Sequence, residues 1–128
     1  MAVGPTAYLV NKLLDHTFRS GITYTPPSTV YFKAHIGDPG ATGAANASAQ
    51  ATRLATTWAA AASGLILMTG TPELTLNATE TITHGSLWDA LTGGNCLWTA
   101  QASVSKGGIN GDIIRLTGIT LGFTGLAA

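Results

Sequence analysis

Charge is what this chain has least of. Lysine, arginine, aspartate and glutamate make up 9% of its 128 residues, and six basic side chains cancel six acidic ones. A surface without a positive field excludes nucleic acid and anionic membrane as electrostatic partners. Cysteine is nearly as scarce. Cys96 stands alone, which rules out an intrachain disulfide and a cysteine-based metal framework, and it reads as a small buried hydrophobe. No apolar run reaches the roughly 18 residues of a membrane span, and the opening Met1–Thr6 lacks the basic-then-apolar pattern of a secretory signal. So few charges, with a mean hydropathy of +0.28, leave little of the charged, mixed surface that keeps a lone domain in solution. Burial in an assembly is the expectation. The abundant Ala, Thr and Gly suit flat, close subunit contacts.

What the chain does have is strand material. Thr81–Trp98 reads as two alternating segments joined by a glycine turn, with Ile82, Leu87, Trp88, Leu97 and Trp98 as apolar mass and Thr92-Gly93-Gly94-Asn95 tolerating positive φ at the bend. Before it, Leu9, Val10, Leu13, Leu14 and Phe18 trace a helical stripe. Thr6 is placed to cap that helix and Ser20-Gly21 to end it, predicting a helix over 7–20. Val30–Ile36 alternates as a strand and stops at the turn Gly37-Asp38-Pro39-Gly40. Loop 37–52 then holds small polar residues with nothing large enough to anchor a core, so it is expected to be a surface arm ordered by a partner. Short strands follow at 53–61, 65–68, 72–77, 81–90 and 96–103, turns at Lys106-Gly107-Gly108 and Asn110-Gly111-Asp112, and a closing strand at 113–123. One domain over 1–128 is expected, with an N-terminal arm at 1–6 and the sandwich at 30–123. The fold class is mainly β, a jelly-roll-like β-sandwich preceded by one N-terminal α-helix.

No constellation of reactive residues holds together. His84, Ser86 and Asp89 have no Gly-x-Ser-x-Gly around the serine, and alternation puts positions 84 and 89 on opposite sides of a strand. His84 is read instead as a strand histidine satisfied by a hydroxyl or carbonyl. His16, His35 and His84 lack metal-ligand spacing, and Asp38 lacks the second carboxylate of a Ca²⁺ cage. Glu73 and Glu80 are read as solubilising strand-edge charges rather than a glycosidase pair. Neither a catalytic residue nor a cofactor or metal site is expected. The tryptophans Trp58, Trp88 and Trp98 lie within apolar alternation, which suits core or interface more than open sugar stacking. The uncharged run Leu116–Ala128 would be an aggregation hazard if exposed, and is expected to lie in the sheet and against a neighbouring subunit. The candidate interface residues are Val3, Asp38, Pro39, Asn46, Trp58, Phe123 and Leu126.

Tyr8–His16, Val30–Gly40, Ala44-Ala45-Asn46 and above all Thr83-His-Gly-Ser-Leu-Trp-Asp-Ala-Leu-Thr-Gly-Gly-Asn-Cys-Leu-Trp98 resemble a family of small tailed-phage virion proteins common in phages of actinobacteria. Its members are variously labelled minor tail, tail fibre or capsid accessory protein. The resemblance implies a non-enzymatic structural role on the virion. A compact chain without coiled coil or repeat suits capping of capsid junctions better than spanning length. The expectation is therefore a capsid decoration subunit that stabilises the head, with the segment 1–6 and loop 37–52 touching the capsid. Its partners are then itself, as a homotrimer, and the major capsid protein. A minor tail or fibre-associated subunit bound to tail proteins is the alternative, and a host-glycan-binding module a further one.

Overall fold

The structure is a computed structural model that describes residues 3–123. Its elements run β1 (Gly4–Pro5), α1 (Ala7–Phe18), β2 (Val30–His35), β3 (Leu54–Trp58), β4 (Leu65–Thr69), β5 (Glu73–Thr75), β6 (Glu80–Trp88), β7 (Cys96–Gly108), β8 (Ile113–Arg115) and β9 (Thr120–Gly122). Seven strands form one antiparallel sheet in the order β1-β7-β6-β2-β3-β4-β9, and β5 pairs with β8 in a second, smaller one. The mainly β sandwich behind one helix is thus what the chain forms, with layers of seven and two strands.

Period-two alternation decides which side chains meet. Phe32, Ala34 and Leu87 point to one face of the large sheet, and Leu74 and Leu76 come down on them from the small layer, all at most 9% exposed. Ile114, Leu116, Ile119 and Leu121 close this core from the C-terminal side. The large sheet curls far enough that Phe123, just past β9, sets its ring 5.5 Å from that of Trp98 on β7. Gly85 lies under the Phe32 ring, where a Cβ would stand 2.2 Å from Phe32 Cε2. A side chain there would displace the ring.

The hairpin read from the sequence is the centre of the sheet. β6 and β7 pair from Glu80↔Gly108 to Trp88↔Cys96. Asp89 closes the connecting loop by accepting from the Asn95 backbone N–H at 2.7 Å and its side-chain amide at 3.1 Å. Gly93 and Gly94 take φ of 62° and 71° there. Asp89 belongs to this loop rather than to the strand.

Four readings are corrected. Lys106-Gly107-Gly108 is not a turn but the end of β7, paired with Glu80, Thr81 and Ile82. A bulge between the pairs Ile82↔Lys106 and His84↔Gln101 carries 102–105 out of register, which keeps the strand going past residues that read as a break. The closing strand 113–123 is two strands in different sheets, because the chain crosses between layers over 116–119. Ala59–Ala61 lies outside β3, with Ala62 making only an isolated bridge to Leu65. The segment 1–6 is no free arm where described, since Gly4 and Pro5 pair with Thr99 and Trp98.

Helix α1 begins as its sequence dictates. Thr6 Oγ1 accepts from the Leu9 N–H and donates to the Cys96 carbonyl at 2.6 Å, so one residue caps the helix and fastens it to β7. Gly21 follows the helix at φ 77°. Its apolar stripe, however, reaches no core: none of its residues is buried, and Leu14 and Phe18 are 51% and 79% exposed.

Candidate functional site

Loop 37–52 is the segment that sequence reading assigned to a partner, and the structure spends much of it on the sheet. Pro39, Gly43 and Ser48 are buried. Gly43, at φ 72°, sits so close to the hairpin that a Cβ would come within 2.4 Å of Cys96 Sγ and 3.2 Å of the Trp88 ring. The chain re-enters alongside β2, where Asn46 O accepts from Ile36 N–H and Ala47 bridges His35. Ser48 Oγ donates to the Glu80 carboxylate, which also takes the Ala49 N–H at 3.2 Å. Gln50 reaches the Thr75 carbonyl at 2.7 Å. What looked uncommitted is held by hydrogen bonds, which composition does not display.

Under this cover lies a directed polar chain. His35 is fully buried, with Nδ1 2.8 Å from the Ala45 carbonyl and Nε2 2.7 Å from Ser86 Oγ. A carbonyl only accepts, so Nδ1 carries the proton and Nε2 accepts from the Ser86 hydroxyl. Ser86 Oγ in turn accepts from the Trp88 indole N–H at 2.7 Å. Burial lowers the His35 pKa, and the nearby Lys33 and His84 add to this. A serine hydroxyl aimed at a histidine is the start of a nucleophile. Here the two residues are 1% and 0% exposed, and the loop seals them from substrate. The pair fixes the loop to the sheet.

The other reactive side chains are dispersed. His84 faces His35 across the β2–β6 pair, and its Nδ1 meets Thr83 Oγ1 at 2.8 Å, the hydroxyl partner its strand position suggested. His16 Nδ1 accepts from Tyr24 N–H. Among the described residues no three His, Cys, Asp or Glu side chains gather as metal ligands would. Cys96 is buried, and burial pushes its thiol up to about 11. Glu73 pairs with Arg115 at 3.6 Å on the exposed β5–β8 layer. Arg53, which sequence reading passed over, lies 4.0 Å from the Trp88 ring centroid and donates to the carbonyls of Ala90 and Gly93, both at 2.7 Å. It clamps the hairpin loop.

The candidate interface residues separate by exposure. Val3, Asn46 and Phe123 are exposed. Asn46 donates to the Asp38 carbonyl, and Asp38 Oδ1 accepts from Gly40 N–H, so both stabilise the turn before the loop. Pro39 is buried inside its own fold and unable to touch a partner. Trp58 is half-buried against the core, its indole N–H on Thr56 Oγ1 at 2.9 Å. Leu126 lies outside the described residues. A groove of about 710 Å³ separates the inner face of β7 from the crossing 114–120, floored by Phe32, Leu74 and Ile82 and edged by Lys106 and Gln101.

The geometry offers surfaces, an open groove and a sealed polar chain. No curated protein matches the chain. The model of one family, described as podophage GP4 fiber I protein gp80, matches residues 4–124. That span takes in every strand and the helix of the described residues, and it agrees with the phage virion resemblance read from the residues. The chain belongs to the family of podophage GP4 fiber I protein gp80, a family of phage structural proteins.

Proposed function

We propose that this chain is a non-enzymatic structural subunit of a podophage tail, associated with its fibres, that works by fitting other virion proteins. The observation that carries this reading is the family match over 4–124, whose description is of a fibre protein. It favours the tail over decoration of the head, the role first expected from the sequence. The chemistry is in keeping: the serine–histidine pair is sealed, the thiol is buried, and 9% charge leaves little for electrostatic recognition. Such a subunit adds stability by binding only the assembled state. The test is copy number per purified particle, by quantitative mass spectrometry against the major capsid protein. A small number of copies in a multiple of the tail's symmetry is expected. A number that scales with the capsid lattice would move the protein to the head and end the tail reading.

A further inference from the structure

β7 is thirteen residues long, and one of its edges is mostly open. β6 lies along one side, but β1 covers the other only at Trp98 and Thr99. From Ala100 to Gly108 that second edge has no strand partner among the described residues, and 102–105 leave the β6 ladder as well. A row of open N–H and C=O groups is a template for another strand.

The groove beside it has the dimensions of a strand. All of 100–104 line it. Alternation puts only every second residue on one face, so the groove reaches round the edge of β7 as well as along its inner face. In a sandwich each strand residue fills a cell of about 4.8 by 10 by 3.3 Å. A groove of about 710 Å³ therefore holds about four or five such residues. It is roomy because Ala100, Ala102 and Gly118 in its walls are small. Its charged lining is of one sign, Lys106 and Arg115, with no Asp or Glu. Arg115 pairs with Glu73 at 3.6 Å, whereas Lys106, exposed at the end of the groove, forms no ion pair among the described residues.

We infer that an extended segment of another virion protein lies in this groove as an added strand on β7, with a carboxylate at its Lys106 end. The open edge repeats donors and acceptors at strand spacing, which a glycan or a compact apolar ligand does not match and an extended polypeptide does. The floor of Phe32, Leu74 and Ile82 takes small apolar side chains at every second position of that segment. Charge then sets its polarity. The 102–105 bulge and Lys106 are devices that ward off indiscriminate pairing. A strand that brings an acid opposite Lys106 is admitted, and one that brings a second cation is turned away. The inference rests on the chain being a virion subunit, and it holds on tail or head alike.

An array of overlapping peptides covering the other proteins of the purified particle, with peptides of this chain beside them, tests it against the purified full chain. A peptide of another virion protein, alternating in apolar residues and carrying Asp or Glu, is expected to be retained. N-methylation of one alternate set of its backbone amides, the set facing β7, is expected to abolish binding, and of the other set to spare it. Lys106→Glu changes an exposed side chain, so circular dichroism is expected to stay the same while binding of that peptide weakens roughly fivefold or more. Retention of no peptide, or only of this chain's own, overturns the inference. So does binding that is indifferent to which set is methylated or to Lys106→Glu. Peptides of head and tail proteins are both present, so a copy number that moves the protein to the head leaves this test standing.

Discussion

His35 has no exposed surface and two hydrogen bonds of opposite sense, which fix the tautomer and orientation of its ring. Removing the hydroxyl between it and Trp88, by Ser86→Ala, strands His35 Nε2 and the indole N–H in a buried site. An unsatisfied buried group costs about 1–3 kcal/mol, so with two of them a loss of about 2–6 kcal/mol is expected, read from the midpoint of urea unfolding. The same site dictates a pH dependence. Its folded pKa lies below the ordinary 6.5 because burial disfavours the imidazolium, so the unfolded chain binds the proton more readily. The contribution is therefore fully present above pH 6.5 and is lost as pH falls from there through the folded pKa. A wild-type melting temperature that declines below pH 6.5, with a smaller decline in His35→Gln, is the expected result. Cys96 gives a third measurement at this scale: with its thiol near 11, reaction with an aromatic disulfide at pH 8 is expected to run on the order of a hundredfold slower in native than in denatured protein.

At the scale of elements, the loop and the helix exchange the roles their sequences suggest. Gly43→Ala forces a side chain into a left-handed backbone and against Cys96 and Trp88. A loss of more than about 2 kcal/mol is expected in chemical denaturation, as for overpacking joined to backbone strain. A free contact arm would tolerate the change. Phe18→Ala, by contrast, removes a large apolar side chain that is 79% exposed, and stability is expected to shift by no more than about 0.5 kcal/mol. Local signals account for what was legible beforehand. Thr6 announces the helix start, the Gly93-Gly94 pair the hairpin bend, and Val30–His35 a strand, because each is decided by neighbours in sequence. The loop misled because Pro39, Gly43 and Ser48 are small, and small residues are held by backbone geometry and hydrogen bonds rather than by apolar mass. The glycines 107 and 108 read as a turn because glycine permits one, whereas here close approach to Thr81 and Asp112 asks for residues without side chains. Arg53 was invisible as a site residue because its partners lie 35 to 40 positions away.

For the whole molecule, composition and site chemistry set two pH dependences that run apart. Net charge passes through zero near pH 6.8, and a chain with so few charges has little repulsion to resist association near that point. Solubility is expected to be lowest there and to rise on both sides. Stability is not symmetric about the same point, because His35 withdraws its contribution only on the acid side. Raising the pH to about 8 therefore restores repulsion while the native state stays whole, whereas lowering it to about 5 restores repulsion and weakens the fold. Light scattering and thermal melting across this range are expected to part company below pH 6.5, with scattering falling while the melting temperature also falls. If the melting temperature held level down to pH 5, the buried histidine would not be the acid-sensitive group, and the seal of loop 37–52 over the sheet would have to rest on its other bonds alone.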